Sequence, residues 1–291
     1  MTARALTTMR VVTRPFVWLI SVLLAVVAAQ SAVLSVVLLG YVYASMHRYL
    51  VGGDLGESLR DRVWQRVKLG VAGGLTISSL ALLPGILWAG AWYAGWDNSF
   101  NKGYEQAGVG PLIGVAGVLL FLLLMPYLQI AQARHAETLD WRCVYRVREN
   151  LRIWAGAPFS AALLPLAYAL AGFGLFLLFS LPAFLPQMTQ YVDVTEAEVA
   201  GRLRGWYFIG SVAFLAGLFA VKRLTAWVYR RASRHAERVG RIRLVLYPIV
   251  AMLWFAVVAE IFIGQFLNYH GNVGWLNQPL MQLPFVNRIP G

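Results

Sequence analysis

The sequence predicts an all-α fold, a polytopic bundle of about six membrane-spanning helices with short amphipathic helices on its surface. Three observations carry that prediction. Hydrophobic residues fill 59% of the 291 positions and charged residues only 13%, against roughly 45–50% and about 25% in soluble domains. Long apolar runs recur along the chain, each near the ~20 residues that a helix needs to cross a bilayer core. The polar joints between them alternate between arginine-rich and arginine-poor, the pattern that orients multi-spanning proteins.

Six runs qualify as spans: Phe16 to Ala44, Leu69 to Tyr93, Val109 to Ala131, Ala155 to Leu185, Gly205 to Val221 and Leu244 to Leu267. Helices are required there because hydrocarbon offers backbone N–H and C=O groups no partner outside their own segment. Together the spans make residues 1–268 a transmembrane domain. The first run has no internal Pro and no Gly before Gly40, so one long tilted helix is expected. The fourth contains or abuts Pro158, Pro165, Pro182 and Pro186. Each proline removes an N–H and frees a carbonyl, so bends are expected there.

The joints Arg48 to Lys68, Arg134 to Arg152 and Lys222 to Arg243 carry most of the cations, whereas those around Lys102, Arg202 to Arg204 and Arg288 carry few. Outward termini place the rich joints on the cytoplasmic side, which is the favoured orientation for a cytoplasmic (inner) membrane protein. Arg4, Arg10 and Arg14 disagree. They would agree if the first run were two short spans, and the topology stays open between these alternatives. The run after Arg14 is longer than the ~7–15 residues of a signal-peptide core, so it reads as a retained span. Trp and Tyr prefer the headgroup level. Trp88, Trp92, Tyr93, Trp96, Trp206 and Tyr207 fit an outer aromatic belt, and Trp141, Tyr145, Trp154, Trp227 and Tyr229 an inner one.

A formal net charge of +12 would suggest a phosphate-bearing partner in a soluble protein. Here the cations flank spans, so membrane lipids are the expected partner. No basic tail or aromatic platform points to nucleic acid. The lone Cys143 is expected to be a free thiol.

Ser58 with Asp61, ahead of Leu59, Val63 and Val67, predicts a capped helix on the inner surface. Val144, Val147 and Leu151 beneath Arg142, Arg146 and Arg148 predict a second, and Thr195 with Glu198 a brief acidic helix outside. Residues 269–291 are too short and polar to span. They are expected to form a C-terminal strap along the outer face, held by Trp275, Leu276, Leu280, Leu283 and Phe285, which are also candidate partner contacts.

Candidate chemistry is sparse. Arg134-His135-Ala136-Glu137 returns as Arg234-His235-Ala236-Glu237, which reads as polar residues at the membrane surface, an internal repeat or a metal site. His and Glu two apart diverge on a helix, so a metal site at His47, His135 and His235 is the weakest of the three readings. Glu260 is the acidic residue placed inside a span, with Gln265 beyond it and Gln30 as a proposed uncharged partner. Intramembrane carboxylates are costly and commonly functional. Gly70 with Gly74 and Gly110 with Gly114 form G-x-x-x-G pairs, which let helix backbones approach closely. Spans two to five offer almost no other buried polar group, which argues against an ion-coupled carrier. No zinc-protease, nucleophile-elbow, phosphate-loop or dinucleotide motif occurs, so neither a catalytic residue nor a cofactor is expected.

Leu39-Gly40-Tyr41, followed by His47-Arg48 and a joint ending Val67-Lys68-Leu69-Gly70, resembles the start of a family of polytopic prokaryotic membrane proteins built on a domain of unknown function. Ala133-Arg134-His135-Ala136 resembles one of its later joints. The resemblance covers about the first two-thirds of the chain and implies membrane architecture, without an activity to carry over.

These observations lead us to expect a non-catalytic integral subunit or assembly factor that works with other membrane subunits. The alternatives are a permease or channel using Glu260 near an outward cavity, and a lipid-acting enzyme resting on His47, His135 and His235.

Overall fold

Ser31 divides the first apolar run. Its hydroxyl accepts the N–H of Leu34 at 3.4 Å from an extended backbone, the geometry of a helix N-cap. Helix α1 (Leu19–Ala29) therefore stops, and α2 (Ala32–Val51) starts afresh. This corrects the single tilted helix expected there. Ser offers the backbone a local partner that an apolar side chain does not. The structure is a computed structural model that describes residues 19–91, 109–184, 196–236, 241–267 and 280–284.

The remaining helices are α3 (Leu59–Ala91), α4 (Val109–Thr138), α5 (Val147–Gly156), the single turn α6 (Pro158–Ala161) and α7 (Leu163–Phe184). They continue with α8 (Glu196–Ser233), α9 (Leu246–Leu253) and α10 (Phe255–Leu267). Short 3-10 turns at Trp141–Tyr145 and Arg241–Val245 precede α5 and α9. Among the described residues there is no strand.

Two expected surface helices are continuous with spans. Ser58 does cap, accepting the Asp61 N–H at 3.1 Å and donating to the Asp61 carboxylate, but the helix it starts runs 33 residues without interruption. Likewise Glu196 lies at the head of the 38-residue α8, while Thr195 lies outside the described residues. Nothing between surface segment and span breaks the helix, so hydrogen bonding propagates through at little cost. Only α5, set off by its own turns, forms separately. In the proline-rich fourth run the interruptions fall at Ala157 and Ala162.

Helix α3 packs between α2 and α4, and α7, α8 and α10 form a second group, joined to the first where α8 meets α2 and α4. The α2–α3 crossing is backbone against backbone. A Cβ on Gly40 would collide with the Arg66 carbonyl oxygen, and one on Gly70 would strike the Val36 carbonyl and sit 2.8 Å from the Gly40 nitrogen. Gly74 has only ordinary room, with Leu39 at 3.9 Å. On α4, Gly110 and Gly114 are buried, but the tight approach is at Gly117, against Leu87 and Trp88 of α3. Gly156 of α5 similarly meets the Ala232 carbonyl of α8.

Trp154, Trp254, Tyr168 and Tyr43 are fully buried in the core. Trp154 and Tyr229, expected in the inner belt, lie inside the bundle instead, and Trp154 packs edge-on against Tyr247 at 4.7 Å. Trp141, Tyr145 and Trp227 stay exposed. Large apolar side chains also cover the outside, among them Leu75, Leu82 and Ile86 on α3 and Leu166, Leu170 and Phe173 on α7. A bundle apolar both within and without suits hydrocarbon as solvent. Among the described residues six helical stretches are long and apolar enough to cross a membrane, and the chain is a multi-pass membrane protein.

Candidate functional site

Lys222 is buried in this bundle, with 2% of its surface exposed. Its placement in a joint is corrected: the fifth span extends from Gly205 to Ser233, carrying Lys222 into the interior. An ammonium has three donors and no acceptor, so a dry site must offer it oxygens. Three glutamines do so. Lys222 Nζ donates to Gln132 Oε1 at 2.7 Å, to Gln282 Oε1 at 3.1 Å and to Gln129 Oε1 at 3.5 Å. It also lies 5.5 Å from the centre of the Tyr168 ring. No carboxylate stands within 4.0 Å of it among the described residues.

The glutamines come from two elements. Gln129 and Gln132 lie three apart on α4, on one face, whereas Gln282 belongs to the C-terminal segment. Gln129 Oε1 also accepts from Tyr168 at 2.8 Å, and Gln282 Oε1 accepts from Gln132 Nε2 at 2.9 Å. Gln282 Nε2 donates to the Leu280 carbonyl at 2.6 Å. Gln129 Nε2 has no partner among the described residues. The expected scarcity of polar groups in spans two to five is thus corrected for spans three and five. An Ala- and Leu-rich context hid the i, i+3 glutamine pair facing a lysine.

Residues 280–284 are the described part of the expected strap, and they sit within the bundle. Met281 is fully buried with a left-handed backbone (φ 44°), Gln282 and Pro284 are buried, and Leu280 and Leu283 are half-buried. Trp275, Leu276 and Phe285 lie outside the described residues.

The three arginine-rich joints meet at one end. His47 Nδ1 donates to the Ala136 carbonyl at 2.7 Å, Arg152 Nε to the Ala236 carbonyl at 3.0 Å, and Arg223 stacks 4.9 Å over Tyr49. The alanines in the two Arg-His-Ala-Glu segments thus both accept a side-chain donor. Each segment is also followed by a 3-10 turn at matching offset, 141–145 and 241–245. The histidines do not converge: His135 is buried against Tyr43 at 5.2 Å, while His235 is exposed and bonded to the Arg231 carbonyl at 2.9 Å. Among the described residues no three His, Cys, Asp or Glu side chains gather as metal ligands.

Asn150 organises the joint beside them, donating to Tyr127 Oη and the Cys143 and Val144 carbonyls while accepting from Arg134. Arg134 also pairs with Glu149, and the guanidinium's hydrogen bond holds that carboxyl below its usual range. Cys143 is a buried free thiol, and burial pushes its pKa up.

Glu260 is half-buried on α10, and its Oε2 has no hydrogen-bond partner among the described residues. Gln30 lies at the α1–α2 break, and the Gln265 side chain lies outside the described residues. The fold and these sites define a multi-pass helical membrane protein with a buried, glutamine-coordinated cation. Compared with known proteins, the chain matches no family model, no curated protein and no solved structure.

Proposed function

We propose that this chain is a non-catalytic integral subunit or assembly factor of a larger membrane complex, in the cytoplasmic membrane of a bacterium, with its arginine-rich end inside. One observation carries this reading: all three donors of Lys222 are engaged by glutamine oxygens. The buried cation therefore fastens helices and the C-terminal segment together and has no donor left for a substrate. Charges inside membranes usually mark transport routes. A saturated one is a fastener. Orientation follows from the excess of cations at one end.

Native mass spectrometry of the protein released from its own membranes tests the proposal. A stoichiometric membrane-protein partner is the expected result, and a stable, partner-free chain would overturn it.

Glu260 favours a second reading, a permease or channel, because its Oε2 is buried with no partner among the described residues. Flux across liposomes holding the wild type, and lost in Glu260→Gln, would establish it. A passive subunit gives no flux in either form.

A further inference from the structure

Where α2 and α8 end there is an open cavity of about 410 Å3, lined by Tyr49, Trp227, Arg230, Arg231, Arg234 and His235. We propose that it is a binding site for a phosphate-bearing anion, with the headgroup of an anionic phospholipid as its natural source.

The charge balance is the first argument. Four other arginines at this end have a carboxylate beside them: Asp54 serves Arg48 and Arg62, and Glu149 serves Arg134 and Arg146. The cavity lining contains no acid. No carboxylate lies within 4.0 Å of Arg230, Arg231 or Arg234 among the described residues. Three guanidiniums around one cavity repel one another, and an anion between them offsets that repulsion. Their planar forks match phosphate oxygens two at a time.

Preorganisation is the second argument. Arg230 lies 5.9 Å over the Tyr49 ring, whose face also holds Arg223, and Arg231 lies 5.8 Å over Trp227. Stacking on rings restrains side chains that would otherwise lose rotamer entropy on binding. His235 Nδ1 donates to the Arg231 carbonyl, which fixes the imidazole at the rim. The volume falls in the range of about 300–1,000 Å3 usual for small-molecule sites.

Two helix ends oppose an anion: the C-termini of α2 and α8 each carry roughly half a negative charge. Three guanidiniums outweigh them. Location selects lipid, because Tyr49 and Trp227 sit at the ends of spans, where such rings meet headgroups.

The test uses the full chain in nanodiscs of phosphatidylcholine with or without phosphatidylglycerol, reading retained lipid by native mass spectrometry. Wild type should keep phosphatidylglycerol selectively. Arg230→Gln, Arg231→Gln and Arg234→Gln combined should lower retention at least about tenfold, since one charge-assisted contact alone is worth that much. Arg60→Gln, Arg142→Gln and Arg148→Gln combined remove equal charge outside the cavity and should leave retention unchanged. Arg231→Lys keeps the charge without the fork and should fall between. Equal losses in the two triple variants, or no loss in the cavity variant, would overturn the proposal. The thermal midpoint of each variant reports folding, and Arg231→Lys alone decides if the triple variant fails to fold. Calorimetry with inorganic phosphate on delipidated protein separates the sources. Phosphate binding that the same variants abolish, without lipid selectivity, assigns the site to a soluble anion, and binding of neither probe overturns it.

Discussion

Gln282 accepts a hydrogen bond from Lys222 at 3.1 Å across 60 positions of sequence, so a glutamine near the end of the chain helps to solvate a cation inside the bundle. Removing either partner leaves the other buried and short of a bond. Gln282→Leu should destabilise the protein by about 1–3 kcal/mol, because it strips an acceptor from a buried ammonium. Lys222→Met combined with Gln282→Leu should cost less than the sum of the single changes. Denaturation in detergent measures the cycle, and additive effects would mean that the contact does not couple.

The Gly40–Gly70 crossing predicts a sharp contrast on one helix. Gly70→Ala drives a methyl into the Val36 carbonyl, and overpacking of this kind costs about 1–3 kcal/mol. Gly74→Ala meets Leu39 at ordinary distance and should keep or slightly raise stability, since Ala is the better helix former. Thermal midpoints of the two variants check the ranking.

Cys143 should resist alkylation. It is 2% exposed, and its raised pKa leaves little thiolate at neutral pH. Maleimide labelling of the folded protein should be slow, speed up as pH rises, and become fast on unfolding. Prompt labelling of the native protein at neutral pH would contradict the buried placement.

The Arg134–Glu149 pair ties α4 to α5, and its pH response has a definite sign. The folded pKa of Glu149 lies below the unfolded value, so its contribution is complete above the ordinary carboxylate range and disappears as pH falls through the folded pKa. The carboxylate is exposed and screened, so the effect is local. Protection of the α5 amides, measured as exchange relative to the intrinsic rate at each pH, should fall in acid, and Glu149→Gln should remove that loss of protection.

Much of the fold was legible because bilayer physics writes itself into composition. A 20-residue apolar run has few alternatives to a helix, and five of the expected spans reappear with shifted ends. The misreadings have local causes. Ser31 caps a helix that composition alone would continue, and Lys222 reads as a joint residue because Arg223 and a basic stretch follow it. Trp154 looks like an anchor by type, yet α8 and Tyr247 bury it. Gly70 was legible as a packing residue, but its true counterpart, Gly40, lies on another helix, where no spacing rule reaches.

The sequence by itself determined the class: apolar runs demand helices, and unevenly shared arginines demand an oriented bundle. Only the tertiary structure decided which polar groups meet. The three lysine-bound glutamines stand at 129, 132 and 282, the cavity joins residue 49 to residues 227–235, and the arginine-rich joints gather at one end. The reason is physical. Local periodicity sets which face of a helix is apolar, but the pairing of distant side chains depends on which helices lie side by side, and that is settled only when the whole core packs.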